Sequence, residues 1–231
     1  DSFYVTVGLW QAGQNRIFID CNVQSPADML SPGRIGMTAI LPVRFTAMKW
    51  YGKGPLETYP DRQCGGRMGV YSEDVRNQPF YLRPQEYGLH TESRSMRLTD
   101  PDRADFVRFE AACPMAMSAV PYSDLQLWNA RHPFELPAPE ALYVHLDYAH
   151  RGLGNSSCGP DVLPTYRIDD RPCRFGFALE AGLGEREDNP FGPIPEEIPA
   201  YHPWKAVEEQ DGTPSYRDPS DPDQRSNAGM V

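Results

Sequence analysis

Apolar and polar residues alternate with period two along much of the chain, which predicts strands rather than helices. Val5, Val7 and Leu9 alternate with Tyr4, Thr6 and Gly8 up to the turn-forming run Ala12-Gly13-Gln14-Asn15. Ile17, Ile19, Cys21 and Val23 then alternate with Arg16, Phe18, Asp20 and Asn22, which completes a hairpin. Another strand carries Ile35, Met37, Ala39 and Leu41 after the turn Ser31-Pro32-Gly33-Arg34. Two later strands carry Leu142, Val144, Leu146 and Tyr148, and Cys173, Phe175, Phe177 and Leu179. Each turns one face to a core and the other to water or a second layer. Strands parted by Pro/Gly turns predict an all-β sandwich rather than an α/β fold. One short helix is expected: Ser123-Asp124-Leu125-Gln126 has the capping-box form, Leu125 and Trp128 share a face, and the helix stops before His132-Pro133.

The pattern fades after about residue 183. Glu185–Val231 holds 8 of the 24 prolines, with 11 acidic and 4 basic residues. Its first part, Glu185 to Pro199, has no useful period and too little apolar surface to offset chain entropy. The chain therefore divides into a β domain over 1–184 and a Pro-rich acidic tail over 185–231, expected to be extended or partly disordered. Most of the formal net charge of −10 belongs to the tail. An acidic chain disfavours a DNA or RNA backbone as partner, and no apolar run approaches the roughly 18 residues of a membrane span. The cysteines at 21, 64, 113, 158 and 173 are odd in number and form no CxxC pair. They signal neither a disulfide framework nor a zinc site. Reduced thiols in a cytoplasmic protein are expected, with a disulfide or two if the chain is exported. The chain opens inside a strand pattern with neither an initiator Met nor a leader, as a piece of something longer would.

No phosphate-binding loop, dinucleotide fingerprint, HExxH or GxSxG motif is present. Three other stretches concentrate chemistry. Trp50 to Arg62 sets glycines and prolines beside aromatics, Glu57 and Asp61; Tyr81 to Gly88 carries Arg83 and Glu86. Asp147 to Pro160 holds His150, three glycines and the run Asn155-Ser156-Ser157-Cys158, a loop whose backbone can approach a ligand closely. Glu57, Asp61, Arg62, Arg83 and Glu86 read as a salt-bridged layer pinning two loops, or as a sugar-binding set. His150 and the weaker candidate His90 read as core histidines or as groups facing a sugar.

In their order and content these stretches resemble the C-terminal small-chain domain of glycoside hydrolase family 2 β-galactosidases. Trp50 to Arg62 is similar to the pattern Trp-x-Gly-x-Gly-Pro-x-Glu-Asn-Tyr-Pro-Asp-Arg, with Thr58 in place of Asn. Arg83-Pro84-Gln85-Glu86-Tyr87-Gly88 follows the second motif, with Tyr87 in place of Asn. The resemblance runs over about residues 1–183 and leaves the tail uncovered. It implies an antiparallel β-supersandwich of the galactose mutarotase-like kind. It also implies a TIM-barrel catalytic domain, in the same or a separate chain, that holds both catalytic glutamates. This chain then has no catalytic residue, binds no cofactor and holds no metal, while Mg and Na ions belong to other domains of an intact, oligomeric enzyme. Its part is to line the pocket for a galactoside substrate through Asn155, Ser157 and Cys158. Cys158 stands where many members place a Trp, and a thiol offers no aromatic platform for a sugar; Cys158 equally reads as a small buried hydrophobe. Glu57, Arg83, Glu86 and His150 are the further sugar or loop-pinning contacts. Two other readings stand beside this one. The chain is a small subunit of a heterodimeric β-galactosidase, or it is a mutarotase-like carbohydrate-binding sandwich in which Glu86 works with His150 or His90 as acid and base.

Overall fold

All five alternating segments form strands, and every pairing in the computed structural model is antiparallel. The structure describes residues 3–11, 14–25, 31–78, 81–154, 160–169, 171–184, 206–208 and 214–216. It divides into two units, Asp1–Gly192 and Pro193–Val231. In the second unit, strands Ala206–Glu208 and Pro214–Tyr216 pair with each other. The remainder of the tail, expected to be extended, lies outside the described residues.

In the first unit the strands are β1 (Tyr4–Gln11), β2 (Arg16–Gln24), β3 (Arg34–Pro42), β4 (Ala47–Gly54) and β5 (Arg67–Asp74). They continue with β6 (His90–Thr99), β7 (Phe106–Val120), β8 (Ala141–His150) and β9 (Cys173–Gly182). One path runs β1-β2-β9-β7-β6-β4-β5, while β3 pairs with β8 and β8 with β7. The 15-residue β7 makes this possible by changing partner. Phe106–Ala111 pairs with β9, whereas Ala116–Val120 pairs with β8. Between these parts the register with β6 slips, from Ser95↔Glu110 to Ser93↔Met115. Pro114 lies in the slipped segment, where its missing N–H breaks no ladder. A strand that passes from one layer to another through an irregularity is how a sandwich turns a corner.

The core fills the space between the layers. Phe175 and Phe177 of β9, Leu142, Val144 and Leu146 of β8, Met48 and Trp50 of β4, and Met96 and Leu98 of β6 join one buried cluster. β6 lacks such alternation because it is covered on both sides. In β6, Met96 and Leu98 are buried on one face while Ser93, Ser95 and Arg97 are buried on the other. Arg97 is accommodated there over the Phe106 ring, 3.7 Å from its centroid. By contrast β1, at the edge, has no buried residue, and Tyr4, Val5, Val7 and Leu9 are exposed.

The helix α1 (Asp124–Asn129) forms as expected, with both halves of the Ser123–Gln126 capping box made. Its predicted apolar face is turned outward, Leu125 being 67% and Trp128 84% exposed. In so short a helix Leu127 alone reaches inward, packing with Tyr87 and Val120. Among the described residues Cys21, Cys64 and Cys173 are free, and no helix is long and apolar enough to cross a membrane.

Candidate functional site

The first motif leaves β4 through a cis Gly54–Pro55 peptide and folds into a turn in which Tyr59 and Arg62 exchange backbone hydrogen bonds of 3.1 and 2.8 Å. The turn holds its side chains against the second motif. Glu57 Oε1 accepts from Tyr81 Oη at 2.5 Å and from Arg62 Nη2, and Oε2 accepts from Gly88 N at 2.7 Å. Gly88 has φ +76°, a region that glycine enters without the strain a Cβ brings. Thr58 accepts from Thr91 N at 2.9 Å and lies 2.8 Å from the Thr91 hydroxyl. Both departures from the family motifs are thus put to use inside the fold: Thr58 bridges to β6, and Tyr87 packs under α1.

Asp61 ties the first motif to the third. Its Oδ1 accepts from Leu153 N at 3.0 Å and Oδ2 from Gly154 N at 2.7 Å. A Cβ on Gly152 would stand 2.7 Å from the Asp61 carboxyl carbon, so the clamp needs a glycine there. Asn155, Ser157 and Cys158, the expected pocket-lining residues, follow immediately and lie outside the described residues.

Behind this turn sits a charged cluster, buried except at Asp124. Arg34 opens β3 opposite His150 on β8 and hydrogen-bonds Glu86 Oε2. It stands 3.6 Å from Asp147 Oδ2 and 3.9 Å from Asp124 Oδ1. His150 Nδ1 lies 2.6 Å from the Arg151 carbonyl, which can only accept, so this nitrogen carries the proton. His150 Nε2 is then a bare acceptor, 3.9 Å from Glu86 Oε1. His145 Nδ1 meets Thr38 Oγ1 at 3.1 Å, and its Nε2 is 3.6 Å from Asp124 Oδ1. Tyr59 is fully buried and packs edge-on to His150, with ring centroids 5.4 Å apart.

Burial governs the protonation of this cluster. It pushes the Asp147 carboxyl up to about 8 and that of Glu86 up to about 7, with Arg34 pulling both the other way. It pushes His145 and His150 down to about 4. It also raises the Tyr59 hydroxyl, with the Glu86 and Glu57 charges adding to the effect. Both carboxyls thus lean on the single cation of Arg34, and the Glu86 charge raises Asp147 further. Chemically the cluster can hold a proton near neutral pH and offer it to a neutral imidazole.

The structure thus brings Glu86 and His150 together and sets Glu57 in the adjoining network. Arg83 stands apart: it is exposed, with no hydrogen bond or ion pair to another described residue. His150 also lines an open cleft of about 540 Å³, together with Thr91, Glu92, Tyr148, Tyr166 and Asp169. Glu92 holds φ +57° at the irregularity of β6, a left-handed conformation uncommon outside glycine. Arg34, Asp124, His145 and Tyr59 are members of the cluster that the sequence reasoning did not single out. For His145 the alternation of β8 carried the signal, because its polar face faces a second layer and not water. For Arg34 and Asp124 no spacing could. Among the described residues no three His, Cys, Asp or Glu side chains converge to hold a metal ion.

Residues 5–179 match the family described as beta galactosidase small chain. Several curated relatives are similar to the chain. A β-galactosidase of Staphylococcus xylosus is 31% identical over 66% of this chain, and one of Arthrobacter sp. (strain B7) is 33% identical over 69%. The β-galactosidase BgaC of Bifidobacterium adolescentis is 35% identical over 73%. In each case the chain spans about 16% of the relative's length.

Proposed function

Because the chain belongs to the β-galactosidase small-chain family, we propose that it is one domain of an enzyme that hydrolyses terminal non-reducing β-D-galactosides with retention. Its catalytic glutamates then lie in a barrel domain outside this chain. The observation that carries the reading is the family match over residues 5–179, together with relatives of which this chain spans about 16%. The geometry supports it. Glu57 is held by three donors and Glu86 by Arg34, as framework groups are, whereas a retaining pair must present two carboxylates about 5–5.5 Å apart to one sugar. The Asp61 clamp gives the chain a part of its own, since it fixes the start of the loop in which Asn155, Ser157 and Cys158 form one wall of the galactose pocket.

The catalytic domain sits in the same chain or in a separate one. The exposed apolar strand β1 favours packing against another body in either case, since an edge with Tyr4, Val5, Val7 and Leu9 in water is otherwise a pairing liability. Complementation tests the reading. A chromogenic β-galactoside should stay intact with the purified chain and be hydrolysed once the barrel-containing part is added. Hydrolysis by the chain alone at an enzyme's ordinary rate overturns it.

A further inference from the structure

A groove of about 390 Å³ lies between the loop that follows β4 and the adjoining ends of β5 and β6. Pro55 and Leu56 form an apolar lip, and Glu57, Glu73, Gln78 and His90 supply the polar part of the lining. Neither the Asp61 clamp nor the Arg34 cluster uses Glu73, Gln78 or His90. His90 is 1% exposed and stacks on Trp50 at 3.9 Å between ring centroids, so the ring cannot turn away. Neither of its ring nitrogens has a hydrogen-bond partner, and Nε2 stands 3.6 Å from Glu73 Oε1, beyond bonding range. Gln78 is also buried. Its Nε2 donates to Glu73 Oε1 at 2.7 Å, while its Oε1 has no partner. Buried polar atoms left in this state are rare in native folds and call for a partner.

The needs of these atoms select the ligand. A neutral imidazole presents one N–H and one lone pair, and Gln78 Oε1 and the two carboxylates accept only. An ammonium group donates but cannot accept from the imidazole N–H. A carboxylate or phosphate accepts but meets Glu57 and Glu73. A hydroxyl does both. We propose that this groove binds a single neutral pyranose ring, its hydroxyl edge against His90, Gln78 and Glu73 and its C–H face against Pro55 and Leu56. The volume lies within the range of small-molecule sites, roughly 300–1,000 Å³. The proposal stands on the groove alone, so it can fail while the galactosidase reading stands.

The test is a titration of the full chain with methyl β-D-galactopyranoside, followed by ¹H–¹⁵N NMR. The Trp50 indole N–H, which donates to Lys53 O at 3.1 Å, and the amides of Gly65, Gly66 and Gly88 report on the groove. They should shift and saturate. Gln78→Leu and Gly65→Leu should each weaken binding by about fivefold or more, the equivalent of one good hydrogen bond. The second variant separates binding from folding, because a Cβ at Gly65 meets nothing within 4 Å. No saturable shift at these reporters overturns the proposal, as do shifts confined to Tyr148 and Tyr166 of the other cleft. Equal shifts from tetramethylammonium or acetate also overturn it, and so does undiminished affinity in both variants.

Discussion

Asp147 and its neighbours give the chain an unusual dependence on pH. Raised carboxyl pKa values mean that the folded state holds protons that the unfolded state has released. Glu86 and Asp147 therefore contribute stability that is full below about pH 4 and is lost as pH rises through about 7 and 8. The lowered values of His145 and His150 act with the opposite sign: their contribution is full above about 6.5 and is lost as pH falls through about 4. The two slopes cancel between about pH 4.5 and 6.5 and leave a net decline from about 6.5 to 8. Urea denaturation across that range should show a plateau followed by the decline. Asp147→Asn should retain about 1–2 kcal/mol of what the native chain loses between pH 6.5 and 8. A variant as steep as the native chain would contradict the assignment. Gly88→Ala should cost about 1–2 kcal/mol, through strain at φ +76° next to the Glu57 contact. At this scale the sequence was partly legible. The motifs named Glu57, Glu86 and His150, and alternation placed His145 with Asp147, but Arg34 and Asp124 join them only through the pairing of β3 with β8 and the docking of α1.

Among the elements, the turn from Tyr59 to Arg62 and the loop opened by Gly152 depend on each other through Asp61. Asp61→Ala removes the acceptor of two backbone donors and should cost about 1–3 kcal/mol locally. Hydrogen exchange at Leu153 and Gly154 should quicken while β8 stays protected. Equal protection in both proteins would mean that the clamp does not hold the loop. Ser123→Ala opens the capping box and should cost about 1 kcal/mol in thermal or urea unfolding. Alternation revealed the strands that have one apolar face and missed β6, where the buried polar residues Ser93, Ser95 and Arg97 fill the second face. The change of partner within β7 was not legible either. Pro114 marks the place, but a proline in a strand pattern reads equally as a turn.

For the whole molecule, the central claim is a division of labour: this sandwich shapes and steadies a galactoside pocket whose catalytic groups lie elsewhere. The family motifs made the membership legible because they occupy the connections, Gly54 to Arg62 and Gly152 to Pro160, where recognition by the rest of an enzyme leaves its mark. The tail, with its proline and acidic content, showed a composition but no site. The most direct measurement is galactoside hydrolysis by the purified chain, alone and after titration with its barrel-containing partner. The chain alone should give no turnover, and activity should rise to saturation as the partner is added, with a lower kcat/KM when Asp61→Ala replaces the native chain. Turnover by the chain alone, or a partner indifferent to its presence, would contradict the division of labour.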